Sequence, residues 1–134
     1  MRRIRFMVRH LAFCDNAVVA IGVIDAVTGM SDEDVLEIIY RETNSVDEPW
    51  FAEGVRESQR GAVGLTLAPN LNGKGGVRST SVGDVVHLME DGPTFRMVDY
   101  EVSPVGFREI SHDQFVILAD RARERAKEIA ESRR

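Results

Sequence analysis

The sequence predicts an α+β fold with a mainly antiparallel sheet. The expected order is strand, strand, helix, loop, three-stranded meander and C-terminal amphipathic helix. Three observations predict it. Residues 2–10 alternate apolar and charged side chains, the period of a half-buried strand. Segments opening at Ser31 and Ser111 pair helix-start chemistry with apolar residues at three- and four-residue spacing. Turn residues divide 82–110 into three short β-type runs. A chain of 134 residues has room for one domain, 1–134.

In the first strand Ile4, Phe6 and Val8 point one way and Arg3, Arg5 and Arg9 the other. Asp15-Asn16 is turn chemistry. Residues 17–24 are apolar on both faces, which suits a central strand paired with the first as a hairpin. Ser31 is an N-cap, with Asp32, Glu33 and Asp34 complementing the helix dipole. Val35, Ile38, Ile39 and Glu42 trace one helical face, with Leu36 beside it, and the helix ends near residue 42. Trp50 is expected to plug the core between this helix and the sheet. Glycines punctuate 54–77, which reads as a long loop, functional or mobile, with room for a short strand or helical turn. Val85 to Met89, Phe95 to Val102 and Val105 to Ile110 form the meander, turned at Glu90 to Pro93 and at Ser103-Pro104. Ser111 and Gln114 make a capping box for the last helix, within 111–134. Its stripe, Phe115, Leu118, Ala122, Ala126 and Ile129, thins to alanine, so the far end projects or packs on a second copy, giving a homodimer through this helix.

The net charge is −5, and the two signs are segregated. Arg2, Arg3, Arg5 and Arg9 open the chain with no acid among them. Nine acids lie between Ser31 and Glu57, against Arg41 and Arg56. A sequence pI of about 5.2 argues against a general nucleic-acid binder. No apolar run has the roughly 20 residues of a membrane span. The arginines interrupt any signal-peptide core, so a cytoplasmic location is expected.

Several chemical motifs fail on inspection. Lys74 to Thr80 resembles a deviant phosphate loop, but Gly-Lys does not immediately precede Ser79-Thr80, and the segment opens a strand where a phosphate loop opens a helix. His10, His87 and His112 lie on separate elements without metal-ligand spacing. His87 reads as a partly buried structural histidine and Cys14 as an inert thiol. No catalytic residue, metal or cofactor is expected.

The run Arg78-Ser79-Thr80-Ser81-Val82-Gly83-Asp84-Val85-Val86, followed by Val105-Gly106-Phe107, resembles the YodL-like group of small proteins. Thr43-Asn44 and Pro49-Trp50 fit the same layout. The specific motif covers 78–107, the looser layout extends over most of the chain, and the C-terminal helix is outside it. The resemblance implies an origin in phages, plasmids or other mobile elements. It implies no catalytic residues. Physically, Gly83 permits a positive φ, Asp84 locks the turn, and Arg78 lies along the strand or pairs with an acid.

Together these readings point to a small non-enzymatic accessory protein that binds another protein through an acidic surface, in the host cytoplasm if phage-encoded. The candidate partner-binding residues are Asp32, Glu33, Glu37, Asp47 and Glu48, with Arg78, Ser79, Thr80 and Ser81 as a polar strip. The alternative is a nucleic-acid-binding module using Arg3, Arg5 and Arg9 with Arg121 and Arg125 of the last helix.

Overall fold

The computed structural model describes residues 2–13, 15–44, 49–52, 54–60, 63–71 and 76–132. The elements are β1 (Arg2–His10), β2 (Ala17–Ala26), α1 (Asp32–Glu42), β3 (Arg56–Arg60), β4 (Val63–Pro69), β5 (Val85–Glu90), β6 (Arg96–Ser103), β7 (Gly106–Ile110) and α2 (His112–Ser132). The seven strands form one sheet in the order β3-β4-β2-β1-β5-β6-β7, and every pairing is antiparallel. The α+β fold with its meander is therefore observed. One expectation is corrected: the segment 54–77 carries a hairpin, β3–β4, that widens the sheet beyond β2.

Alternation along β1 sets the two faces. Ile4, Phe6, Val8 and His10 are buried on one face, while Arg3, Arg5, Met7 and Arg9 point to the other. The first face packs against Val35, Leu36 and Ile39 of α1, together with Trp50, Leu65, Leu67, Val86 and Leu88. Gly22 is required here, because a Cβ would stand 2.2 Å from the Thr66 carbonyl oxygen and 2.5 Å from the Phe6 ring. The second face meets α2 over β5 and β7, where Val85, Ile110 and Leu11 pack against Ala119 and Ala122.

Both helices start as expected. The Ser31 hydroxyl accepts from Asp34 N–H at 3.2 Å, and the Asp34 carboxylate accepts from Ser31 N–H at 3.4 Å. The Ser111–Gln114 box has the same reciprocal bonds, at 2.8 and 3.1 Å. Trp50 is 4% exposed, and its indole N–H donates to the Arg78 carbonyl at 3.1 Å.

Candidate interaction surface

The Arg78–Asp84 motif folds inward as a latch. Asp84, fully buried, accepts from Arg78 Nη1 and Nη2 at 2.7 and 2.8 Å. It also accepts from the backbone N–H groups of Leu11, Ala12 and Ser81 at 2.8, 3.0 and 2.7 Å. Gly83, at φ +96°, makes the turn that brings the carboxylate back onto Ser81. Burial pushes the Asp84 carboxyl up, but its hydrogen bonds from Arg78, Ala12 and Ser81 outweigh that and hold it below its ordinary value. Arg78 reaches on to Asp15 with Nε and Nη2, at 3.2 and 3.1 Å, and to the Ser79 carbonyl with Nη1 at 2.9 Å. All five guanidinium N–H groups are thereby used. The ring of Phe13 covers the guanidinium at 4.7 Å.

A hydrogen-bond chain ties this latch to α1. The Thr43 hydroxyl donates to the Ile39 carbonyl at 2.9 Å, so its oxygen accepts from Thr80 at 2.8 Å. Thr80 has then spent its proton and must accept from His10 Nε2 at 3.0 Å. The chain fixes His10 as its Nε2–H tautomer. Nδ1 is left as a buried acceptor with no partner among the described residues. Burial pulls the His10 pKa down, so the neutral ring is favoured.

The expected polar strip is corrected by this geometry. Thr80 is 1% exposed, and Arg78 is spent on Asp15, Asp84 and the Ser79 carbonyl. Ser79 and Ser81 are half-buried beside them. Asp32 is also committed: Arg96 donates to it at 2.6 Å and the Tyr100 hydroxyl at 2.8 Å, while Arg2 lies 3.3 Å away. These bonds, Arg96 first, hold the Asp32 carboxyl down at about 2. Glu33 and Glu37 are exposed on α1 and have no ion pair among the described residues. Asp47, Glu48 and Cys14 lie outside the described residues, as do Lys74 and Gly75 of the phosphate-loop-like segment. Residues 76–84 lead into β5 without a helix.

The strand arginines are engaged on the second face. Arg3 meets Asp25 at 2.9 Å and Arg5 meets Asp91 at 3.3 Å. Arg9 donates to Asn16 at 3.1 Å and lies 5.2 Å from the centre of the Phe115 ring. Arg121 and Arg125 are exposed on α2 and line a shallow surface with Asp120, Glu124 and Glu128. His87 is held by Asp99 at 2.7 Å and meets the Phe115 ring edge to face at 4.8 Å. No group of three metal-ligating side chains occurs among the described residues.

A groove between α1 and the β6–β7 turn brings exposed acids and apolar walls together. It measures about 610 Å³ and is lined by Glu37, Tyr40 and Arg41 of α1 and by Val82, Pro104 and Phe107. Tyr40 and Phe107 meet edge to face at 6.2 Å across it. Val105, at the turn, is 93% exposed. Glu33 Oε1 lies within 3.3 Å of where a Gly106 Cβ would stand. Sequence reasoning found the helix acids but missed these walls, because Tyr40 and Phe107 are 67 positions apart and no local pattern joins them.

Comparison with protein-family models, curated proteins and solved structures finds no significant match. No helix among the described residues is long and apolar enough to cross a membrane.

Proposed function

We propose that this chain is a small non-enzymatic accessory protein that binds another protein in the α1/β6–β7 groove. Its partner is a segment with a bulky apolar residue flanked by lysine or arginine. The observation that carries this reading is the apolar pair Tyr40 and Phe107 beside Glu33 and Glu37, which have no ion pair among the described residues. The apolar residue would supply most of the affinity and the acids the register and the choice of partner. An origin in a phage or other mobile element, and work in a host cytoplasm, rest on the YodL-like resemblance of residues 78–107. The proposal includes a homodimer in which the C-terminal helix takes part.

Selection from a displayed library of random short peptides tests the groove. The expected consensus is basic-apolar, and Glu37→Lys or Phe107→Ala should abolish the enrichment. No consensus, or one that both variants still select, overturns the reading. Nucleic acid is less well supported, because Arg3 and Arg5 are already matched by Asp25 and Asp91.

A further inference from the structure

Among the described residues, the second face of the sheet is covered over only part of its width. A helix about 10 Å across shields roughly two strands at about 4.8 Å spacing. α2 lies over Val85 and Ile110, with Phe115 against His87. Register places what remains. Met7 stands opposite Ile21, and Ile21 opposite Ala68. In the next row Met97, Met89, Arg5, Val23 and Thr66 follow one another across β6, β5, β1, β2 and β4. Met7, Ile21, Val23, Ala68, Met89 and Met97 thus form one apolar patch around Arg5. Ile21 is 49% and Met97 60% exposed.

We infer that a second copy of this chain packs its own β4–β6 face on this patch, making a two-fold dimer. This rests on the homodimer reading above, with α2 flanking the seam on the same face of the sheet, and not on the groove. Charge selects the occupant. The patch carries both signs, with Arg5 at its centre and Arg3, Asp25 and Asp91 around it. A two-fold copy can set each arginine against the partner's carboxylates and add no uncompensated charge. A phosphate backbone would meet those same carboxylates. The methionines give a surface that adapts to its own image. With the charged row of Arg3 and Asp25 included, the patch spans roughly 20 Å by 20 Å, about 400 Å² a copy. Both copies together bury about 800 Å², less than a standard interface, so a weak, transient dimer no tighter than micromolar is expected.

Light scattering across a dilution series tests this. The wild-type chain should move from a dimer towards 15.0 kDa as it is diluted. Ile21→Glu should weaken the dimer about a hundredfold while leaving thermal melting of the monomer unchanged, because Ile21 already meets solvent. Met97→Glu is the second variant and should act the same way. Ile129→Glu probes the alternative seam along α2. A dimer that survives both Ile21→Glu and Met97→Glu overturns this face. If Ile129→Glu then breaks it, the homodimer reading stands and only the surface is wrong. A wild-type chain that stays at 15.0 kDa overturns both. Salt-dependent binding of duplex DNA by such a monomer would give the face to nucleic acid.

Discussion

The two helices cover opposite faces of one sheet and are held by different means. α1 inserts Val35, Leu36 and Ile39 into the main core and is also fixed at both ends. At its start Asp32 binds Arg96 and Tyr100; at its end Thr43 binds Thr80 and, through it, His10. α2 is 21 residues long and fully buries only Ala119 and Ala122. Length therefore does not measure attachment here. A short helix with branched apolar residues and two polar anchors is built into the fold, and a long one with an alanine stripe rests on it.

The largest expected effect lies on the α1 face. Trp50→Ala removes a large buried ring and leaves the Arg78 carbonyl without its indole donor, which should cost about 3–5 kcal/mol. Denaturant unfolding measures this. A loss under about 1 kcal/mol would mean that the Trp50 site collapses freely and that the two faces are not as different as their burial implies.

Asp84→Ala should cost a similar about 3–5 kcal/mol by a different mechanism. It takes the shared acceptor from Arg78, which keeps Asp15 and the Ser79 carbonyl, and from three backbone N–H groups, on Leu11, Ala12 and Ser81. Arg78→Met in the Asp84→Ala background should recover part of the loss, because a half-buried charge that has lost one of its two carboxylates goes with it. If the double variant is as unstable as the sum of the singles, the two residues do not form one unit.

Local patterns were legible; what they are next to was not. Alternation in β1, the apolar run of β2, the Ser31 N-cap and the Ser111–Gln114 capping box gave most elements near their true ends. The β3–β4 hairpin was hidden because Arg-Glu-Ser-Gln-Arg in β3 carries no apolar alternation, and Gly64 and Ala68 dilute the Val63, Leu65, Leu67 period of β4. That β1 lies inside the sheet, between β2 and β5, could not be read either, because period two names a strand's faces and not its neighbours. The same limit applies to the latch. Asp84 was legible as a turn former, but Asp15 lies 63 positions from Arg78, and the two meet only when the β1–β2 loop folds back.

Acid should loosen the α1 face in two stages. His10 has a lowered pKa in the fold, against 6.5 in the unfolded chain. As pH falls below about 6.5 the unfolded chain takes up this proton first, so stability declines. Protonation would also place a charge beside Arg78, although Asp84 and Asp15 oppose that effect. The second stage comes from Asp32 and Glu90, whose carboxyls are held down at about 2 by hydrogen bonds from Arg96 and Arg2. Their stabilising contribution is full above the unfolded values of 3.8 and 4.5 and is lost as pH falls through about 2. For Asp32 it is on the order of 1–2 kcal/mol after solvent screening. Unfolding free energies from pH 8 to pH 3 should therefore fall from about 6.5 downward. His10→Gln should flatten the upper stage only. A stability curve flat between pH 7 and 5 would show that His10 keeps an ordinary pKa.

The smallest effect belongs to the far end of α2. From Arg123 onward only Ala126 is even half-buried among the described residues, and Ile129 remains 41% exposed. Ending the chain after Arg125 removes little apolar burial, so the monomer should lose less than about 1 kcal/mol. The remaining helix keeps its capping box and the Phe115, Leu118, Ala119 and Ala122 contacts. Helix propagation is weakly favourable per residue, so trimming exposed turns shortens the helix without unseating it. Denaturant unfolding at a concentration where the chain is monomeric isolates this term from association. A loss above about 2 kcal/mol would mean that the distal turns pack on the sheet, and the contrast between a built-in α1 and a resting α2 would fail.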